Sequence, residues 1–294
     1  MKVAILSYNP NGEEIIARCG NATFSPTRPS EYKVTDEDIR KFIKTAKRMR
    51  LSSVFDFPSV TYSMEDVSRS FTHQHVRHRT GAHMQQSLRY VKLSPELKEK
   101  PWFVIPPEIV KYGREEVVDY IKNQLNTAGK YNRSLERGLK PEDARFALPM
   151  GTKTFLSTSM DTESLLHYIE VRTCYDAQWE IRSAANALRT GLRFVYPNIF
   201  ENSGPSCIID NVCRGRGKMI CKKDFVELTN KLENEVIKHI NNFDELKRDE
   251  KLKLDLTDYL GFKADEKLEE EVGKEFDLDK IDLGLEVILE VTKV

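Results

Sequence analysis

No stretch of the 294-residue chain approaches the roughly 20 consecutive apolar residues that span a bilayer as a helix. The start, MKVAILSYNPNGEE, has no charged segment followed by a longer apolar run, so no export signal is read there. A cytoplasmic location with no membrane partner is therefore expected. Net charge is missing too, because 46 Lys and Arg balance 46 Asp and Glu. That balance removes any general attraction for nucleic acid, which is not expected as a partner. The five cysteines are odd in number and scattered over a long chain, which argues against a secreted disulfide framework and for reduced thiols. Cys207, Cys213 and Cys221 are spaced C-x5-C-x7-C, without the close C-x2-C pair typical of structural zinc sites, and no metal is assigned. There is no internal repeat.

The most informative absence is local. From Val67 to Pro95 there is no Asp or Glu, whereas Arg69, Arg77, Arg79, Arg89 and Lys92 lie there with His73, His75, His78 and His83, four of the six histidines. A guanidinium offers a planar fork of donors that fits phosphate bidentately. A compact basic cluster on a neutral protein points to a small anionic ligand. An extended single-strand groove is disfavoured, since only Phe71 and Tyr90 supply aromatic rings within the cluster. The plainer alternative is a basic solvated helix face or a set of ion pairs, with Glu163, Glu170 and Asp176 as candidate acids.

A hydrophobic content of 39% is enough for a sizeable core. KVAILSY, Val60–Met64 and Lys153–Met160 read as strands, and Thr35–Arg50 as a helix with acids early and bases late. Glu65–His75 and Glu108–Arg137 also read as helices, separated by the proline-bearing connector Pro95–Pro107. Asp161 or Thr162 is placed as the N-cap of a helix running to about Leu188. The mixture is α+β. Beyond Lys222 the composition shifts to Glu, Lys, Asp and Leu, and residues 223–294 are expected to form a charged, mainly helical C-terminal extension.

Arg77-His78-Arg79 followed by Ser87-Leu88-Arg89-Tyr90 resembles the signature of flavin-dependent thymidylate synthases. The preceding M64-E-D-V-S-R-S-F-T-H-Q74 is similar to that family's segment leading into the signature. Glu142–Pro149 and Leu165–Ile181 resemble its distal nucleotide-binding segment, and G204-P-S-C207 with Cys213 and Cys221 a cysteine-bearing tail. The resemblance runs from about residue 53 to 222 and implies a thymidylate synthase-like catalytic domain over residues 1–222. It further implies a homotetramer with sites between subunits. The substrate would be dUMP or another pyrimidine nucleotide, with FAD as cofactor and NADPH and methylenetetrahydrofolate, or a related pterin, as co-substrates. The reaction would be reductive C5 methylation of dUMP to dTMP.

Carried over by position, Gln74, Gln85, Gln86, Ser87, Arg89, Arg145 and Arg172 would hold the nucleotide, Arg89 and Arg145 at its phosphate. Arg172 would be the catalytic residue, its guanidinium stabilising negative charge on the pyrimidine ring. Arg77, His78, Arg79 and His167 would contact the flavin. The sequence departs from the family pattern at Phe57, Ala82, Met84 and Asp161-Thr162-Glu163, mainly on the flavin side. The alternative is thus a divergent relative that binds a pyrimidine nucleotide but has lost ordinary FAD binding or methylates another substrate.

Overall fold

The structure is a computed structural model that describes residues 1–216 and 219–294. Six strands form one sheet: β1 (Lys2–Tyr8), β2 (Ser59–Ser68), β3 (Ala82–Gln85), β4 (Lys153–Asp161), β5 (Lys251–Asp255) and β6 (Ile288–Thr292). Their spatial order is β3-β4-β2-β1-β6-β5, and every neighbouring pair is antiparallel except β1 with β6. The helices before β4 are α1 (Gly12–Ala22), α2 (Asp36–Met49), α3 (Arg69–His75), α4 (Pro107–Lys111), α5 (Arg114–Glu136) and α6 (Pro141–Ala144). After β4 come α7 (Thr162–Arg172), α8 (Trp179–Val195), α9 (Pro197–Phe200), α10 (Ser206–Ile209), α11 (Lys222–Glu245), α12 (Thr257–Leu260) and α13 (Glu266–Glu275). The α+β expectation holds. Among the described residues no helix is long and apolar enough to cross a membrane.

Local chemistry explains most element boundaries. Thr35 caps α2 through a reciprocal box with Asp38, and Arg50 closes that helix in the left-handed region at φ 55°. Asp161 caps α7 by accepting from the Ser164 amide at 2.6 Å. Two expected helices are interrupted. Glu108–Arg137 breaks between α4 and α5 at Gly113, which takes φ 91°. The helix begun at Asp161 ends at Arg172, and a new one starts after Gln178, whose side chain accepts from the amides of Glu180 and Ile181. The helix expected from Glu65 begins only at Arg69, because Asp66 takes φ 56° at a bulge and β2 resumes pairing at Val67↔Thr154.

The core lies between the sheet and α8, which is buried along nearly its whole length. Gly191 lets that helix lie close to the sheet: a Cβ there would fall 2.8 Å from Ile5 Cδ1 and 2.9 Å from Leu289 Cδ1. Residues 223–294 carry the expected helices α11, α12 and α13, and they also supply β5 and β6. The division drawn near residue 222 therefore falls at the start of α11, and both sides of it feed one sheet and one core. A smaller apolar cluster joins Val117, Val118 and Ile121 of α5 to Val272 of α13 and to Ile281 and Leu283.

Leu289 is fully buried on β6 beside β1. Leu289→Ala is expected to lower unfolding stability by about 2–5 kcal/mol through lost burial and the cavity left behind. Urea unfolding should follow this as one transition. A change of about 0.5 kcal/mol or less, the size of a surface substitution, would separate β6 from the core.

Candidate active site

The site is built where β2 turns into α3. Ser68 ends the strand and caps the helix, its Oγ accepting from the Phe71 amide at 3.0 Å. The same hydroxyl donates to Glu180 Oε2 at 2.6 Å, and the Ser68 amide donates to Glu180 Oε1 at 2.7 Å. Glu180 is buried, which pushes its carboxyl pKa up, while the two Ser68 bonds pull it back. The first turn of α8 is thereby fastened to the start of α3.

Behind α3 a chain of polar groups has one consistent direction. His83 Nε2 lies 3.0 Å from the His78 carbonyl oxygen, so that nitrogen carries the hydrogen. In the neutral ring Nδ1 then accepts from Thr158 Oγ1 at 3.0 Å. With its proton so directed, Thr158 accepts from His75 Nε2 at 3.0 Å, and His75 Nδ1 accepts from the Tyr168 hydroxyl at 3.1 Å. The His75 ring also stacks on Phe71, with centroids 5.6 Å apart. Burial, reinforced by His83, His78 and Arg172, brings the His75 pKa down to about 3. Ser68, Glu180, His75, Thr158 and Tyr168 position the site although none was chosen from sequence; Ser68 and His75 lie in the acid-free stretch, Tyr168 and Glu180 in the segment Leu165–Ile181, and Thr158 carried no signal beyond its strand.

Arg172, the last residue of α7, reaches across to α3. Its Nε donates to His78 Nε2 at 3.0 Å, and Nη2 donates to the Gln74 carbonyl at 3.1 Å. As an acceptor, His78 is neutral with its hydrogen on Nδ1, and burial followed by the Arg172 charge lowers its pKa to about 4. His78 packs edge-on against Tyr168 at 4.7 Å and lies 6.0 Å from the exposed His167 ring. Two sequence segments nearly a hundred residues apart thus meet at one guanidinium.

The other expected nucleotide residues gather nearby. Gln74 Nε2 returns to the Ser70 carbonyl at 3.4 Å, and Gln85 Nε2 donates to Thr72 Oγ1 at 3.1 Å. Gln86 is turned toward β4, accepting from Thr154 Oγ1 at 3.3 Å. Ser87 Oγ accepts from the Arg89 amide at 3.3 Å. Arg89 Nε meets the Glu142 carboxylate at 3.3 Å, and Arg145 Nε donates to the Glu142 carbonyl at 3.1 Å, so Glu142 draws both arginines together.

Arg77 and Arg79 are exposed and make no ion pair among the described residues. Two of the three acids considered for neutralising the cluster are engaged elsewhere: Glu170 pairs with Arg214, and Asp176 with Arg216 at 2.8 Å. Exposed guanidinium groups beside a neutral imidazole suit an anionic ligand that also carries an aromatic ring. Where the sequence departs from the family pattern, Asp161 spends both carboxylate oxygens on Ser164, at 2.6 Å and 3.0 Å. Burial, with Asp56 and Asp161 adding repulsion, raises the Glu163 pKa. Met84 and Phe57 are exposed. Val76, Met84, Tyr90, Val91 and Phe146, close in sequence to these groups, are exposed apolar residues. A separate cavity lined by Met1, Asp66, Lys100, Lys153 and Glu286 contains none of these groups. Among the described residues no group of His, Cys, Asp and Glu is placed to hold a metal ion.

Comparison with known proteins was made against this geometry. The family model described as "Thymidylate synthase complementing protein" matches residues 4–198. The flavin-dependent thymidylate synthase of Clostridium tetani is 34% identical over 240 residues, 76% of this chain and 94% of that protein. Its counterpart in Sulfolobus acidocaldarius is 35% identical over 213 residues, 71% of this chain and 79% of that one. Among solved structures, a UMP/dUMP methylase, PolB, from Streptomyces cacaoi, bound with 5-Br dUMP, superposes with TM-score 0.60 at 18% identity, covering 67% of this chain and 92% of that one. The last comparison bears on the fold.

Because the His75 pKa falls from 6.5 to about 3 on folding, the unfolded chain binds the proton more tightly in that window. This group's contribution to stability is complete above pH 6.5 and is lost as pH drops toward 3. His75→Gln should flatten the fall of the urea midpoint between those limits. An unchanged slope would remove His75 as a source of acid sensitivity.

Proposed function

The chain belongs to the family of flavin-dependent thymidylate synthases, and we propose that it methylates C5 of dUMP in the site organised by Arg172. One observation carries the reading. Arg172 is held by the His78 ring and the Gln74 carbonyl at the end of α3, and Glu142 holds Arg89 and Arg145 as a pair of guanidinium groups. Arg172 suits the polar edge of a pyrimidine and the pair a phosphate.

In this reading the Arg172 guanidinium stabilises the negative charge that develops on the ring as C5 becomes nucleophilic. The neutral His78 fixes the guanidinium through Nε and leaves its remaining donors for the ring. Gln74, Gln85 and Ser87 orient the nucleoside, with Gln86 supporting that strand from the β4 side. Arg77, His78, Arg79 and His167 would hold FAD. When bound and reduced by NADPH, FAD supplies the hydride that completes a methyl group built on the methylene carbon of methylenetetrahydrofolate or a related pterin. The exposed apolar residues, including Met84, Tyr90 and Phe146, support completion of the site by further copies of the chain in a homotetramer.

A second reading, a relative that binds a pyrimidine nucleotide without ordinary flavin chemistry, is favoured by Glu163. This acid stands one helical turn before His167, next to Asp56 and Asp161. It would repel a diphosphate there.

The test is an absorption spectrum of the purified protein followed by FAD titration with and without dUMP. Flavin uptake perturbed by dUMP is expected. Nucleotide binding without flavin uptake would select the second reading, and binding of neither would overturn both. Arg172→Ala should lower turnover about 100- to 1000-fold, as expected for loss of a donor to developing charge, while the fold is kept. Glu163→Gln is expected to tighten FAD binding. The Glu163 pKa is raised on folding, so its ionised form weakens the fold increasingly as pH rises from 4.5 through the folded value. Thermal melts of Glu163→Gln should therefore exceed wild type at neutral pH and converge with it in acid.

A further inference from the structure

The cavity that contains none of the active-site groups lies where the bulge of β2, the start of β4, the connector before α4 and the loop before β6 converge. Its walls carry opposite charges that do not meet. Lys153, the first residue of β4, is half-buried, and its Nζ donates to the Pro101 carbonyl at 2.8 Å. An ammonium has three N–H donors, so two remain. Asp66 sits at the bulge in the left-handed region, and its carboxylate has no hydrogen-bond or ion-pair partner among the described residues, since Lys2 goes to Glu65. Asp282 accepts from the Gly284 amide at 3.0 Å with one oxygen, and the other has no partner among the described residues. The Met1 amino group donates to the Glu286 carbonyl at 3.0 Å, and Lys100 pairs with the Glu286 carboxylate at 2.8 Å. Phe103, Val104, Ile105 and Leu285 give the cavity a buried apolar side.

Taking charge out of bulk water is costly unless a partner repays it. A simple anion in this space would face Asp66 and Asp282, and a simple cation would face Lys153. A molecule bearing both signs satisfies all three. The volume of about 90 Å³, equal to about three waters at roughly 30 Å³ each, limits its size. We propose that this cavity binds a small free α-amino acid, its carboxylate on Lys153, its ammonium on Asp66 and Asp282, and its side chain against the apolar side. Burial draws the Lys153 pKa down, and a carboxylate partner opposes that. Occupancy reaches toward α3. Lys153 pairs with Ser68 in the β2–β4 ladder, and Asp66 stands two residues before Ser68. One ligand holding both steadies the bulge just ahead of the Arg69 and Ser70 amides, which donate to the Thr152 and Met150 carbonyls. None of the nucleotide-site residues lines this cavity, so the two sites are tested separately.

The experiment is calorimetric titration of the full-length protein with glycine, L-alanine, L-serine and L-valine in turn, repeated with the amide and the N-acetyl derivative of any that binds. Saturable binding of at least one amino acid is expected, weakened about 10-fold or more in both derivatives, each of which lacks one charge. Lys153→Met and Asp66→Asn are each expected to weaken it about 10- to 100-fold, the range for a lost charge-assisted hydrogen bond. Hydrogen exchange of the Arg69 and Ser70 amides should slow in the complex, and unchanged rates overturn the link to α3. No binding by wild type, equal binding of the derivatives, or binding that either variant retains unchanged overturns the proposal. Should Lys153→Met fail to fold, Asp66→Asn decides, because asparagine accepts the left-handed conformation at that position and removes only the charge.

Discussion

The buried carboxylate of Glu180 is the constraint on which the site depends. It accepts both the amide and the hydroxyl of Ser68, the residue at which β2 becomes α3. Bonds to a charged acceptor contribute about 1.5–3 kcal/mol each, and loss of either partner would leave a buried polar group unsatisfied. The direction of α3, and therefore the placement of Gln74, His75 and His78, is set from α8, the helix that fills the core. The large apolar core and the small polar site are mechanically one object.

The second organising feature is the ordered run from Tyr168 through His75, Thr158 and His83 to the His78 carbonyl. Each hydroxyl there has one proton to give, and each neutral imidazole one N–H and one accepting nitrogen, so fixing one end fixes all. The run keeps buried histidines neutral beside a guanidinium. His78 can therefore accept from Arg172, which a protonated ring would repel. On the outer side the arginines face the opposite situation: among the described residues, Arg69, Arg77, Arg79 and Arg145 have no carboxylate in ion-pair contact. Neutral behind and cationic in front, the surface suits an anion with a flat polar ring attached.

The sequence carried the strands β1 and β4, the capped helices α2 and α7, and the family, because each rests on short-range pattern: alternation, capping chemistry, or residues at fixed spacing. It missed the role of the C-terminal region in the sheet. KLKLD and ILEVT alternate with period two, but they are five residues each and sit in a segment dominated by Glu and Lys, where charged helices are the ordinary reading. It also ran α7 and α8 together, since apolar spacing continues across Thr173–Gln178 and only the Gln178 cap marks the new start.

Thus the chain by itself determined the chemistry available: an acid-free stretch rich in arginine and histidine, a signature at fixed spacing, and a matching segment far downstream. Those are properties of residue identity and order. The tertiary structure alone decided which charges are neutralised, since Glu170 and Asp176 turn to Arg214 and Arg216, Glu142 meets Arg89, and Arg77 and Arg79 are left without an ion pair among the described residues. It also decided that β6 lies beside β1 and that Arg172 meets His78. Electrostatic and hydrogen-bond partners depend on distance in space. Between residues a hundred positions apart, that distance is set by packing against the core and not by local pattern.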